Sequence, residues 1–370
     1  MSQLRTVHVL GGGSAGSSAH VGSLAAGLVA RGVHVTVCAP AELDHAHDFS
    51  GAGACFAPVP RRSDPAALAA LRVACGTADV VHAHGPHAAV RAALALGGRR
   101  VPLVVTWHAR AEAKGARGRC LRLMERKAAR AAAVVLGTTS ELVDRARWRG
   151  ARDARLAPVC APASRPPGTV DADKVRAELG VLDRPLIVAS GSLVPHHGYD
   201  LLLDAARMWR GLDPDPLVIV AGEGRQRAAL QRRIRNEELP VRLVGDRDDI
   251  ADLLTAADLA VLPSRWEARS AVAQRVLRLG VPLVATAVGG VPELVGDGAE
   301  LVPYGDAEAL ARVVAELLDD PRRRARLAAA GRAQAAGWPT EDDTVAQMLS
   351  IYDELTQPPT APRSRTNVPA

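Results

Sequence analysis

At 370 residues the chain is long enough for two domains, each with its own core, and no apolar run approaches the ~18 residues a membrane span requires. The net charge of +6 is modest for this length; it favours anionic partners such as nucleotide phosphates or an acidic membrane surface, and no nucleic-acid partner is expected. Only Lys114, Lys127 and Lys174 among the 46 basic residues are lysine, a compositional bias that gives Arg-for-Lys exchanges little functional weight, and five scattered cysteines without a C-x-x-C fit a reducing compartment.

The first predicted strand, Val7–Leu10, runs straight into Gly11, Gly13 and Gly16, a G-x-G-x-x-G, followed by a helical pattern over Val21–Arg31. A strand, a glycine-rich turn and a helix N-terminus leave backbone N–H groups without partners, which suits phosphate; the alternative is a tight turn with no ligand. A dinucleotide site needs an acid closing the next strand to hold a ribose hydroxyl. That strand, Val33–Cys38, ends in Cys-Ala-Pro, and Glu42 comes only beyond the proline, so half of the fingerprint is missing.

Further strands are predicted at Val80–His82, Leu103–Thr106 and Val134–Gly137, with helices between them such as Arg119–Ala132. The Pro-rich stretch APVCAPASRPPGTV then interrupts the pattern. Alternation restarts with Leu186–Ser190, Leu217–Ala221, Val241–Val244, Leu259–Leu262 and Leu283–Thr286, with helices such as Leu201–Arg210 and Ser270–Leu279. Strand–helix alternation of this kind implies α/β architecture with parallel, doubly wound sheets. The expected organisation is a first domain over 1–160, a linker over 161–183, a second domain over 184–337, a helix over 338–356 packing back on the first domain, and a disordered tail over 357–370. Ligands of such sheets bind outside the carboxyl ends of the strands, so two doubly wound (Rossmann-like) domains would share one central cleft.

The strongest motif is LAVLPSRWE, Leu259–Glu267, leading through ARSAVAQRVLRLGVPLVATAVGGVPELVGDG. With SGSLVPHHGYDLLLDAA (Ser190–Ala206), VIVAGEGRQRAAL (Val218–Leu230), DVVHAHGPHAA (Asp79–Ala89) and PLVVTWHA (Pro102–Ala109), it resembles the nucleotide-sugar glycosyltransferases of the GT-B fold, family 4 type. The likeness covers roughly residues 5–335.

The resemblance implies roles for particular residues. Glu267 would contact the hydroxyls of the donor sugar, and His108 would face that sugar across the cleft. The backbone of Ala268, Arg269, Ser270 and Ala271 would meet the diphosphate at a helix N-terminus. Gly12, Gly13 and Ser14 would offer N–H groups to anionic oxygen, and Gly222, Glu223 and Gly224 would lie near the nucleotide. A dipole-stabilising glutamate and a buried structural histidine are the plain alternatives for Glu267 and His108. No metal or cofactor is expected beyond the nucleotide diphosphate sugar itself.

Three positions depart from the family pattern. The pattern has two glutamates separated by seven residues, but Arg275 stands in the second place and cannot accept a hydrogen bond. Ser192 and His197 stand where an arginine and a lysine would neutralise the leaving diphosphate. Either charge is redistributed, through a protonated His197 or through Arg265, Arg269 or Arg275, or the fold is kept and the transfer chemistry lost.

His82, His84 and His87 form an H-x-H-x-x-H that reads as cleft lining, with zinc the alternative. Asp213 and Asp215 form a D-x-D in a proline-broken surface loop. The basic helix Ala116–Arg130, with Leu121, Leu123 and Met124, is either a solvated face or a contact for an anionic membrane. The start of the chain shows no signal-peptide core, so a cytoplasmic protein, at most peripheral at the inner membrane face, is expected. The expected activity is a retaining, metal-independent transfer from a nucleotide diphosphate sugar to an unknown acceptor; the alternative is a degenerate relative acting as a binding or regulatory protein.

Overall fold

The computed structural model describes residues 3–11, 15–61, 65–110, 115–160 and 172–357. Two parallel sheets organise them. The first contains β1 (Arg5–Leu10), β2 (His34–Ala39), β3 (Cys55–Pro58), β4 (Val80–His84), β5 (Leu103–Trp107), β6 (Val134–Gly137) and β7 (Ala154–Leu156), ordered 3-2-1-4-5-6-7. The second contains β8 (Leu186–Ser190), β9 (Leu217–Ala221), β10 (Val241–Gly245), β11 (Leu259–Leu262), β12 (Leu283–Thr286) and β13 (Glu300–Val302), ordered 10-9-8-11-12-13. Both are doubly wound, and in each the order reverses beside the first strand, so loops diverge there and open a crevice at the carboxyl ends.

Helices cover both faces of each sheet, which is why the central strands read as continuous apolar runs. In the second sheet, Ile187, Ala189, Val218 and Val220 pack on one side with Leu202, Ala206 and Leu310, while Leu186, Val188, Leu217 and Ile219 pack on the other with Ala273, Val276 and Leu277. The first sheet divides likewise: Val7, Val9, Val81, Ala83 and Val105 face Ala88, Ala92 and Ala128. Its opposite face is closed by the helix Ala15–Ala30 and by the last described helix, Glu341–Thr356.

That last helix is held on the first domain by several devices. Its start carries a capping box between Thr340 and Asp343, and Val345, Met348, Ile351 and Tyr352 enter the core beside Leu24, Leu28 and Val104. A Cβ on Gly27 would come within 2.4 Å of Val345, so glycine lets the two helices approach. The Ser23 hydroxyl donates to Glu341 at 2.6 Å, and Arg155 forks onto Glu354 at 2.7 and 2.8 Å.

Within the expected linker 161–183, the described residues include a helix, Ala172–Leu179, whose Ala172, Val175 and Leu179 pack against the second domain's core. Residues 161–171 and the tail from 358 lie outside the described residues. Asp215 is engaged by the Arg184 guanidinium at 2.9 Å in its surface loop. The basic helix spans Gly115–Ala131 and buries Gly118, Ala128 and Ala129, with Leu123 turned to solvent. Among the described residues no helix is long and apolar enough to cross a membrane.

Candidate active site

Second-domain loops leave the carboxyl ends of β8, β9, β11 and β12 and are bound to one another by backbone. Gly191 N–H donates to Ala221 O at 2.9 Å, Leu193 N–H to Glu223 O at 2.8 Å, and Arg265 N–H to His196 O at 2.7 Å. Glycines make the contacts feasible: a Cβ on Gly198 would lie 1.9 Å from Pro263 O, and one on Gly222 would lie 2.1 Å from Gly191 O. Both have positive φ, of 70° and 145°. Ser192, His197, Gly222 and Glu223 are thereby brought into one rim. The Glu223 carboxylate pairs with Arg227 at 2.7 Å.

Glu267 sits beside this rim. Its Oε1 accepts from the Ser264 hydroxyl at 2.9 Å and lies 3.9 Å from His197 Nε2. Gly290 N–H donates to the Glu267 carbonyl at 2.9 Å, and Gly289 fits against the same carbonyl, where a Cβ would approach to 2.0 Å. The Gly-Gly turn after β12 thus fixes the glutamate's backbone. Burial raises the Glu267 carboxyl above its usual value, opposed by Ser264 and His196. His197 donates from Nδ1 to Ser192 O at 2.7 Å, which leaves Nε2 toward Glu267, and burial lowers its pKa.

Three residues beyond Glu267, Ser270 caps the helix Ala271–Leu279 by accepting from Ala273 N–H at 3.4 Å, so the first turn of that helix opens next to Ala268. Arg275 lies one turn further along, partly buried. Arg269 is directed elsewhere. Its Nε donates to Val159 O at 2.9 Å and its guanidinium lies 6.0 Å from the Trp338 ring, which ties the second domain to the end of the first.

In the first domain, His108 follows β5 and its Nε2 meets His84 Nδ1 at 3.2 Å. His84 Nε2 in turn meets His8 Nδ1 at 3.2 Å. His82, stacked on His84 at 4.3 Å, contacts the Tyr352 hydroxyl at 2.6 Å and the Thr106 hydroxyl at 2.7 Å. Burial drives all of these, and His20, whose ring lies 5.5 Å from that of His108, toward the neutral form: His8 and His108 to about 3, His20 to about 4, and His82 and His84 well down. Nitrogens of His8, His82 and His84 lie within 4.8 Å of one another. His82 and His84 nevertheless use both ring nitrogens in hydrogen bonds and stack face to face, whereas metal ligands converge edge-on. His87, the third histidine of the sequence motif, packs instead against Gly11, where a Cβ would come 3.0 Å from its Nδ1. Gly12, Gly13 and Ser14 lie outside the described residues.

The two halves meet through residues to which the motifs assign no role. Arg110, two residues past His108, donates to Glu141 at 3.0 Å and lies 5.7 Å from the Trp266 ring centre. Trp266, adjacent to Glu267, donates from Nε1 to the same Glu141 carboxylate at 3.2 Å. Ser140 N–H donates to Glu293 at 2.9 Å, and a Cβ on Gly290 would strike Thr139 at 2.3 Å. Segments leaving β5 and β6 therefore touch segments leaving β11 and β12, and the carboxyl edges of the two sheets face each other. A hollow of about 370 Å³ lined by Arg184, Arg210 and Arg242 lies at the opposite, amino ends of β9 and β10, away from these residues.

Comparison with known proteins agrees with this arrangement. Residues 15–162 match the family model "Glycosyl transferase 4-like domain" and residues 171–334 match "Glycosyl transferases group 1". A D-inositol 3-phosphate glycosyltransferase of Xylanimonas cellulosilytica is 32% identical over 319 residues, 76% of this chain and 73% of that one. A GDP-mannose-dependent monoacylated alpha-(1-6)-phosphatidylinositol monomannoside mannosyltransferase of Corynebacterium glutamicum is 34% identical over 46% of this chain, a match spanning about half (48%) of that relative's length. Among solved structures, Anabaena HepE in complex with UDP superposes with a TM-score of 0.81 at 20% identity, covering 95% of this chain and 100% of that one. The chain belongs to the family 4 type of glycosyltransferases with the GT-B fold.

Proposed function

We propose that the protein transfers a sugar from a nucleotide diphosphate sugar to an acceptor hydroxyl with retention of anomeric configuration and without a metal. The carrying observation is the Arg110–Glu141–Trp266 contact, which sets the loops of His108 and Glu267 on facing edges of one crevice. In this reading Glu267 accepts from donor-sugar hydroxyls and His108 addresses the sugar from the other side. The first turn of the helix Ala271–Leu279, with the backbone from Ala268, takes the diphosphate, helped by Ser192, His197 and the Gly12–Ser14 loop. Gly222 and Glu223 border the nucleoside, with Arg275 near the ribose. The acceptor oxygen attacks the face from which the phosphate leaves, its proton passing to a phosphate oxygen as the sugar–phosphate bond breaks. The protein contributes positioning, charge stabilisation and exclusion of water. Contact with an anionic membrane through the Arg-rich helix bearing Leu123 belongs to the same reading.

A second reading rests on a specific observation. Ser192 and His197 replace the two cations the family pattern implies, and Arg269 is drawn to Val159 and Trp338. A protein with this site could bind the nucleotide sugar without turning it over.

Calorimetry and mass spectrometry with a donor panel separate the two. The panel starts from GDP-mannose and UDP-glucose, named with the relative and with a second HepE complex, and uses inositol phosphates as first acceptors. Binding with product formation is expected; binding alone would establish the second reading, and no binding to any donor would defeat both. His197→Lys should strengthen donor binding by about 10- to 100-fold above pH 7, because burial keeps the wild-type imidazole uncharged there and a charge-assisted contact is worth about 1.5–3 kcal/mol. An unchanged affinity would mean that another cation already fills the role.

A further inference from the structure

We propose that His84 and His8 form a hydrogen-bonded imidazole chain behind His108 that fixes its tautomer, with Nδ1–H turned away from the chain toward the crevice. This rests on the reading that His108 faces the donor sugar.

The links are His8 Nδ1 to His84 Nε2 at 3.2 Å and His84 Nδ1 to His108 Nε2 at 3.2 Å. A neutral imidazole has one donor and one acceptor nitrogen, so one proton position dictates the rest. Either every bond points from His8 toward His108, or every bond points back. The two directions differ at the ends. Pointing inward, the chain leaves His8 with an N–H at Nε2, fully buried and meeting no hydrogen-bond partner among the described residues. Pointing outward, the same nitrogen is a bare acceptor. Orphaned buried N–H groups are the rarer of the two defects, so the outward direction is favoured. His108 then carries its proton on Nδ1 and presents a donor.

The chain is placed by the sheet. His8 and His82 are register partners on β1 and β4, and His84 follows two residues on, on the same face. His82 is held separately by Tyr352 and Thr106 and supports His84 by stacking at 4.3 Å, so its nitrogens do not compete for the chain. Burial keeps the members neutral, and a neutral chain retains its direction. His84 and His8 are therefore positioning residues, acting on the reaction only through His108.

The test is nitrogen NMR on protein labelled at histidine, with His108 signals assigned by their loss in His108→Ala. Wild-type His108 should show a protonated Nδ1 and a bare Nε2, the reverse of the usual preference of free histidine. His84→Leu should release His108 to the common tautomer and lower kcat by about tenfold, the value of one neutral hydrogen bond at the transition state, with donor KM little changed. His84→Gln carries a carbonyl to accept from His8 and an amide to donate to His108, and should restore both tautomer and rate. A wild-type His108 protonated on Nε2 would overturn the proposal, and this readout needs only that the His108→Ala variant used for assignment folds. So would His84→Leu with tautomer and kcat unchanged. If the tautomer behaves as stated while His108→Ala leaves donor binding and turnover intact, the chain stands and the placement of the sugar fails.

Discussion

Glu267→Gln is expected to lower kcat/KM by roughly 10²–10³ while leaving the protein as stable as before or slightly more so. The loss follows from the charge: a carboxylate accepts strongly from sugar hydroxyls, and a positioned polar group aimed at a reacting sugar is worth about that factor. The stability effect follows from burial. The Glu267 pKa is raised in the folded protein, so the native state binds this proton more tightly than the unfolded chain does. Ionising it therefore works against folding, and the destabilisation fades as pH falls through the raised pKa. Glutamine keeps the shape and can still meet Ser264 without the buried charge. The melting temperature should be unchanged or up to roughly 3 °C higher. Parallel turnover and melting measurements check both halves. Wild-type turnover in the variant would show that the sugar lies elsewhere, and a sharply lower melting point would assign Glu267 a structural role.

The second large effect is acid unfolding of the first domain. His8, His20, His82, His84 and His108 are all held neutral by burial. In the unfolded chain each takes up a proton near pH 6.5. Between that pH and the depressed native values, about 3 to 4 for His8, His20 and His108, the unfolded state holds more protons and stability falls as pH falls. One such histidine contributes about 1.4 kcal/mol per pH unit, and five acting together on the order of 7. Against a total of about 5–15 kcal/mol, unfolding should set in near pH 5. Denaturant titrations from pH 8 to 5 should show a steep loss of stability, with Trp107 in the first domain reporting before Trp209 in the second. A flat profile would mean that the cluster is protonated or solvated in the folded protein.

Much of the fold is legible from residue patterns because the central strands are buried on both faces. Leu217–Ala221 and Leu259–Leu262 carry unbroken apolar runs, and the structure gives them the same limits. The strands that pattern reading passes over are Cys55–Pro58, Ala154–Leu156 and Glu300–Val302. All three are sheet edges, short and only partly buried, so CFAP, ARL and ELV carry little apolar signal. The Pro-rich composition around 161 also hides the helix Ala172–Leu179, whose three packed residues show only against the second domain's core.

At the site, the start of the helix at Ser270 is a local feature that residue pattern places, and Glu267 is picked out by the resemblance of its motif to the family. Trp266, Glu141, Arg110 and Glu293 depend on how two domains meet, which no local pattern encodes. The histidine chain lies between these cases. His82 and His84 alternate on a buried strand, and polar residues at that period inside an apolar run signal a hydrogen-bonded interior. Its far member His8, and Tyr352, which holds the neighbouring His82, become visible only when strand register and the returning last helix are known.

The return of the helix Glu341–Thr356 to the first domain sets an order of events during synthesis. Val345, Met348, Ile351 and Tyr352 are made after the whole second domain, yet they seal the core made first. At about 5–20 residues per second, the nascent amino-terminal half waits roughly 10–40 s with one face of its sheet uncovered. The carboxyl-terminal half is contiguous and can close meanwhile. Maturation therefore runs against the direction of translation, and the waiting interval is when this polypeptide most needs a chaperone.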